Sequence, residues 1–166
     1  NIKLGDNTPA KNYNLEVHAF EKDSLNRTTS EGTAVGSLKI NQVLKKADIA
    51  LVLQSINPDE TLEFKPMLMD QSGEQIIDDV LVVIRDTNLN KILEKIVKSS
   101  ETSTYKVQSN LSSGYYDIRV SSKNVSANKK FYVNEKAIAN LEVVGDMLIV
   151  TNIGNIPYEK DIEIVL

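Results

Sequence analysis

Alternation of apolar and polar residues runs along most of this chain and limits its possible folds more than any other feature. Leu62 and Phe64, for example, alternate with Glu63 and Lys65. Successive side chains of a β-strand point to opposite faces, so this period of two places the apolar residues on one face. Apolar residues at helical spacing are scarce. The sequence therefore predicts an all-β protein.

Turn-forming residues divide this pattern into short, regularly spaced segments. The clearest turns are Asn57–Glu60, Asp70–Gly73, Asp86–Asn90 and Ser112–Gly114. About seven strands fit between residues 48 and 135, the number that an immunoglobulin-like antiparallel β-sandwich needs.

Tyr116 falls in line with Ile118 and Val120 after the Gly114 turn. Either Tyr115 or Tyr116 must face the core. If it is Tyr116, its ring fills the sandwich and its hydroxyl needs a hydrogen-bond partner, as for the tyrosine near the start of the penultimate strand of many sandwiches.

The segment KILEKIVKSS, residues 91–100, fits either a helix or a strand, because its residues have fair helix propensity but also alternate. Its short length and flanking turns favour a strand. Residues 21–31 are polar and predict a loop. Gly145 and Asp146 suit a two-residue hairpin turn between strands at 138–144 and 147–151. A last strand is predicted at 158–166.

These patterns predict three domains: a partial β unit at 1–45, an immunoglobulin-like sandwich at 46–135 and a partial second sandwich at 136–166. The chain begins without Met and ends within an alternating pattern. We interpret it as a fragment of a longer protein or a processed subunit; the alternative is an ordinary chain that has lost its Met. Partial sheets bury too little surface to be stable alone. We expect them to pack on the central sandwich, to pair with each other, or to be completed by another copy through strand addition.

Composition argues against several functional classes. The net charge is −4, whereas general nucleic-acid binders present a basic surface. The chain has no cysteine and one histidine, which removes thiolate chemistry and multi-histidine metal sites. No apolar run approaches the length of a membrane-spanning helix. The phosphate-binding and dinucleotide-binding glycine motifs are missing, as is the nucleophile-elbow motif G-x-S-x-G.

Titratable residues offer few candidate sites. His18 shares a strand face with Glu16 and Phe20 and is interpreted as a half-exposed strand residue. The acidic clusters are Asp59 with Glu60, Asp70 with Glu74, and Asp78 with Asp79. Neighbouring strand residues point apart, so Asp78 and Asp79 cannot hold one ligand together. We predict no catalytic, cofactor-binding or metal-binding residue, and leave open a loop Ca²⁺ site formed by Asp70, Glu74 and Asp78.

Two longer segments carry a family resemblance. The stretches NPDETLEFKPMLMDQSGEQIIDDVLVVIRD, SSGYYDIRVSS and FYVNE resemble the immunoglobulin-like modules of archaeal cell-surface proteins. The segment NLEVVGDMLIVTNIGNIPYEKDIEI resembles the additional sandwich repeats of archaeal envelope and S-layer-like proteins, and similar repeats occur as accessory domains of carbohydrate-active enzymes. The resemblance implies tandem immunoglobulin-like β-sandwiches with a surface or scaffold role, and implies no catalytic residue.

Glycosylation sequons begin at Asn26, Asn110 and Asn124 and weakly favour an outside location. The lysine pairs Lys45–Lys46 and Lys129–Lys130 are interpreted as solvated strand edges that discourage aggregation.

The leading hypothesis is a non-enzymatic structural or adhesive module of an exported cell-envelope protein. It would act at the cell surface in spacing, assembly or protein–protein interaction, and its partners would be other protein chains or copies of itself that pair through strand edges. We expect no cofactor, nucleic acid, membrane contact or small-molecule substrate for this segment. The alternative is a carbohydrate- or protein-binding accessory domain of a larger secreted enzyme, although aromatics are only 5% of the chain. A third hypothesis is a hydrolase with an unrecognised active site.

Overall fold

The computed structural model describes residues 3–163, and this part of the chain consists of strands and loops without a helix. Its alternating segments form strands because each can bury one apolar face or pair in a hairpin. The all-β prediction is confirmed. The strands are β1 (Asn12–Lys22), β2 (Thr28–Lys39), β3 (Leu44–Leu51), β4 (Ser55–Ile56), β5 (Thr61–Asp70), β6 (Asp79–Arg85), β7 (Lys91–Lys98), β8 (Ser103–Lys106), β9 (Gly114–Ser122), β10 (Val125–Val133), β11 (Ala139–Val144) and β12 (Met147–Asn152).

Strands β3 to β10 build two sheets. One has the order β4-β10-β9-β6-β7 and the other the order β3-β5-β8. The chain therefore crosses between sheets after β3, β4, β5, β7 and β8. Strand β4 pairs with β10 in parallel, with Ser55 opposite Tyr132 and Ile56 opposite Val133.

The buried faces of these two sheets share one apolar core. Tyr116 lies there with its ring stacked on Phe131, the ring centroids 5.5 Å apart. Its hydroxyl donates a 2.8 Å hydrogen bond to the Ser112 carbonyl, and Gly114 enters the strand with φ of 134°. Tyr116 is therefore the tyrosine of the pair that faces the core, and its hydroxyl has the partner that this position requires. The other large apolar core residues are Ile49, Ile56, Leu62, Phe64, Leu68, Val80, Val82, Ile84, Val107, Ile118, Val120 and Val133.

This strand order, with the tyrosine hydroxyl bonded to backbone four residues upstream, is that of an immunoglobulin-like β-sandwich. The predicted fold class is confirmed; the tandem arrangement of such sandwiches stays a prediction. The segment at 91–100 forms β7, so its prediction as a strand is also confirmed. The count of about seven strands missed β4, which is too short to show alternation.

By its internal contacts the chain divides into two compact units. The first unit contains the chain up to Lys45 together with Met69–Glu74. The second contains Lys46–Leu68 and the chain from Gln75 onward. The predicted three-domain division at 1–45, 46–135 and 136–166 is a finer one and stays a prediction.

Three strand connections share one aspartate-based turn. In the turns at 23–27, 70–74 and 86–90, the carboxylate of the first residue accepts hydrogen bonds from the backbone N–H groups two and four residues later. The fourth residue has positive φ in each: Asn26, Gly73 and Leu89. The aspartate thus supplies the acceptor that the tight turn needs. The predicted turns at 70–73 and 86–90 are confirmed.

The polar segment at 21–31 is mostly strand, contrary to the predicted loop, because β1 continues to Lys22 and β2 begins at Thr28. The two strands pair in an antiparallel hairpin, and the hydrogen bonds of the Asp23 turn close it. The last predicted strand, at 158–166, does not form over residues 158–163, and its remainder lies outside the described residues.

Candidate functional site

The hairpin formed by β11 and β12 is the most distinctive surface of the second unit. Val144 pairs with Met147 across a two-residue turn, in which Gly145 has φ of 65°. Positive φ at the first central residue alone fits a type II′ turn, whose twist matches that of paired strands. The predicted turn at Gly145 and Asp146 is confirmed.

One face of this hairpin is apolar, the other is partly apolar, and both are open to solvent. Leu141 pairs with Val150 and Val143 with Leu148, so these four side chains share one face. The other face carries Val144, Met147 and Ile149 together with Asn140, Glu142 and Thr151. The exposed fraction of the seven large apolar side chains ranges from 40% for Leu148 to 72% for Val143, so none is buried. Fully burying a side chain of this kind contributes roughly 1.5–3 kcal/mol.

The outer edge of β12 is also open, because β11 and β12 form a two-stranded sheet within the described residues. The strand reads MLIVTN and contains neither a charged residue nor proline. Charges and prolines are the usual means by which an edge strand avoids pairing with another chain. Strand β12 therefore has the features of an edge that accepts an additional strand.

A set of hydrogen bonds fixes the base of the hairpin to the segment that follows β10. We call residues 152–155 and their partners in residues 134–138 the base clamp. The Asn155 side-chain carbonyl accepts from Lys136 N at 2.7 Å, and its amide donates to the Asn134 carbonyl at 2.9 Å. The Ile138 carbonyl accepts from the backbone N–H groups of Ile153 and Gly154. The hairpin is thus held at its root although its strands are exposed.

Gly154 is required by the geometry of this clamp. A Cβ atom at this position would overlap the carbonyl oxygen of Lys136 and would lie 2.9 Å from Ile138 N. Both neighbours are backbone atoms, which cannot rotate away as a side chain would. Asn152 contributes by accepting a 3.0 Å hydrogen bond from Gly154 N. Residues 152–155, which lie within the segment that resembles archaeal envelope repeats, therefore act as a structural clamp.

His18 lies on β1 among exposed residues. Its ring contacts Thr33 Oγ1 at 3.2 Å through Nδ1 and Glu16 Oε1 at 3.1 Å through Nε2. Thr33 is the residue opposite His18 in the hairpin register, so these are ordinary cross-strand and same-face contacts.

The carboxylate clusters of the sequence are dispersed by the fold. Asp78 pairs with Lys123 at 2.8 Å, whereas Asp79 pairs with Lys98 at 2.7 Å. The Lys123 hydrogen bond lowers the pKa of Asp78, and the Asp79 hydrogen bond raises that of Lys98.

The other acids are held within turns or by single cations. Asp59 pairs with Lys136 at 3.2 Å, and the Asn57 amide lowers the pKa of Glu60. Burial opposes ionisation of Asp70, but hydrogen bonds from the hydroxyl and N–H of Ser72 and the N–H of Glu74 keep its pKa below the usual value. Across residues 3–163 no three metal-ligating side chains come together, including the Asp70, Glu74 and Asp78 set considered for Ca²⁺.

The three sequon asparagines are exposed and lie in loops between strands.

Lys129 and Lys130 lie on the part of β10 that extends past its two-residue pairing with β4. Residues 3–163 contain no helix of the length and apolar character needed to cross a membrane.

Comparison with known proteins adds little. No protein-family model matches the chain, and no curated protein sequence matches it. One similar solved structure is described as the amphioxus IgVJ-C2 molecule, at 9% identity and a TM-score of 0.35. The match covers 74% of this chain and spans 59% of that one. The fold assignment therefore rests on the strand order and the Tyr116 hydrogen bond described above.

Proposed function

We propose that this chain is a non-enzymatic structural or adhesive module of an exported cell-envelope protein, and that it assembles through the β11–β12 hairpin. The observation that carries this proposal is an apolar hairpin with both faces and the β12 edge exposed, fixed at its base by Gly154 and Asn155. An apolar surface that is anchored at its base and left uncovered is suited to receiving a partner.

The partner we propose is a second copy of the chain, whose own β12 adds to the open edge. Strand addition would satisfy the backbone groups of both edges and would bring apolar faces of the same kind together. The hairpin's seven large apolar side chains are all exposed in the single chain, so packing within the second unit does not use them. Of the arrangements predicted for this segment, we propose completion by another copy, because strand addition would bury these side chains.

The finer parts of the proposal rest on the sequence. The resemblance of residues 50–166 to archaeal surface modules supports an extracellular location and a tandem arrangement with other sandwiches, and the three exposed sequons agree with export. The immunoglobulin-like fold typically serves as a binding or spacing module, and the proposal of a non-enzymatic role follows that use.

Sedimentation equilibrium over a range of concentrations tests the assembly. We expect the chain to self-associate and the variant Leu148→Lys with Val150→Lys to remain monomeric, because two charges would be buried on one hairpin face. The control is Val52→Lys with Ile77→Lys, which places the same charges at exposed apolar positions elsewhere in the second unit. A wild-type chain that stays monomeric at its highest soluble concentration, or equal association by both variants, would contradict the proposal.

A further inference from the structure

The solvent-facing side of β6, β9 and β10 contains a concave region of about 440 Å³. Arg85 lies opposite Asp117, and Val83 lies opposite Arg119, in the β6–β9 register. The two arginines are therefore diagonal neighbours on one face, at a spacing of about 7–8 Å between backbones. On the far side of β9, Asn128 of β10 lies opposite Arg119 and donates a 3.2 Å hydrogen bond to Asp117 Oδ1.

Both guanidinium groups are exposed and, among the described residues, neither forms an ion pair within 4.0 Å. Lys130 lies opposite Asp117 in the β9–β10 register and adds a third cation to this face, beside the Asp117 carboxylate. Glu94, the residue of β7 opposite Val83, is paired with Lys91 at 2.7 Å. In a chain whose net charge is −4, this face is locally positive. It is complementary to an acidic ligand.

Part of the concave lining is apolar. It includes Val83, Ala127 and Leu89. Leu89 is the αL residue of the Asp86 turn, with φ of 66°, and its side chain is 66% exposed. A leucine rarely adopts this conformation, and such outliers are often found where a side chain is presented for binding. The turn thus holds an exposed apolar side chain at the rim of the arginine pair.

We propose that this face binds an acidic peptide segment of a partner protein. One carboxylate would lie between Arg85 and Arg119, and a neighbouring apolar side chain would contact Leu89 and Val83. Arginine forms paired, charge-assisted hydrogen bonds with carboxylates and is enriched among residues that dominate interface energetics. This site lies on a different surface from the β11–β12 hairpin and does not depend on the proposed assembly.

An acidic polysaccharide carries the same carboxylate chemistry but fits the face less well. Sugar rings stack on the flat faces of exposed aromatic rings. The aromatic pair on this face, Tyr115 and Tyr132, is packed edge to face at an interplanar angle of 71°, so the two rings do not form one flat platform, although Tyr115 is exposed. The apolar rim instead suits a peptide side chain.

Nuclear magnetic resonance titration of the isotopically labelled chain tests the site. The probe is a short peptide of alternating Glu and Leu, and the comparison probes are an oligogalacturonate and a peptide of alternating Lys and Leu. We expect shift changes in β6, β9 and β10 with the Glu peptide alone. The variant Arg85→Gln with Arg119→Gln should bind it about tenfold or more weakly, because charge-assisted hydrogen bonds are lost.

The matched control is Lys39→Gln with Lys106→Gln, which removes two exposed cations elsewhere and should bind within about twofold of wild type. Circular dichroism should show that all variants remain folded. The proposal is overturned if the Glu peptide causes no shifts at millimolar concentration or if both variants bind equally. It is also overturned if the oligogalacturonate binds more tightly than the peptide with the same arginine dependence.

Discussion

Replacing Gly154 with alanine should release the hairpin from the sandwich without unfolding the core. The added Cβ would overlap the Lys136 carbonyl oxygen, so the backbone at 154 must move away from the segment after β10. That movement would break the clamp hydrogen bonds. These are Ile153 N to Ile138 O at 2.9 Å, Gly154 N to Ile138 O at 3.1 Å, Asn155 N to Lys136 O at 2.9 Å, Lys136 N to Asn155 Oδ1 at 2.7 Å and Asn155 Nδ2 to Asn134 O at 2.9 Å.

A typical intramolecular hydrogen bond contributes a net 0.5–1.5 kcal/mol, so loss of the clamp should reduce the free energy of local opening by about 3 kcal/mol. Two of the five hydrogen bonds share the Ile138 oxygen, so their combined free energy is smaller than that of five independent hydrogen bonds. About 3 kcal/mol corresponds to roughly a hundredfold increase in the opening equilibrium. Because the hairpin contributes no residue to the core, global stability should change little.

Amide hydrogen exchange in the native state measures this opening residue by residue. We expect exchange of the clamp amides of Lys136, Ile153 and Asn155 to accelerate by about that factor, while the amides of Val82 and Ile118 keep their protection. Asn155→Ala should give a smaller acceleration, about tenfold, since it removes only the two side-chain bonds. Gly36→Ala is the control, because no atom lies within 4 Å of its added Cβ. Unchanged exchange in the Gly154 variant would refute the clamp.

Three further predictions concern stability. Tyr116→Phe should lower the free energy of unfolding by about 1–2 kcal/mol in thermal or urea melts, because the Ser112 carbonyl loses its donor; an unchanged melt would count against that bond. Leu89→Asn should raise it by up to about 1 kcal/mol, since asparagine tolerates positive φ; a loss of stability would indicate that Leu89 packs favourably where it lies. Acid should loosen the aspartate turns. The Arg27 N–H lowers the pKa of Asp23, and the Asn90 side chain lowers the pKa of Asp86. The two ionised carboxylates therefore stabilise the folded chain above their unfolded-state pKa, and this stabilisation is lost as the pH falls through their folded-state pKa. Melting temperatures between pH 7 and 3 should therefore fall less for Asp23→Asn with Asp86→Asn, and an identical acid dependence would refute the turn mechanism.

Where one face of a strand is buried, the sequence predicted the structure well. The alternation of Leu62 and Phe64, or of Ile118 and Val120, reflects a requirement to face the core, and these strands form as expected. The hairpin of β1 and β2 was partly missed because most of its side chains are exposed on both faces. Without a buried face, polar residues on both sides of a strand cannot be distinguished from a loop.

The candidate sites depend on relationships that a linear pattern does not contain. The need for glycine at 154 arises from the Lys136 carbonyl, which the hairpin brings back beside it. The arginine pair arises from the register of β6 against β9, which sets Arg85 diagonal to Arg119. A glycine followed by asparagine just after a strand is a usable sequence signal for such a clamp, but it does not identify the partner backbone.

The parallel pairing of β4 with β10 has a mechanical consequence. Tyr132 N donates to the Gln54 carbonyl and Asn134 N to the Ile56 carbonyl, both at 2.8 Å. In parallel strands, a pull toward the start of β4 and a pull toward the end of β10 act in opposite directions along the same axis. Tension applied to the chain at these two points therefore shears both hydrogen bonds at once instead of peeling them apart in sequence. The β4–β10 contact should therefore resist stretching of the chain. It joins β4, the first strand of the five-stranded sheet in chain order, to β10, the last.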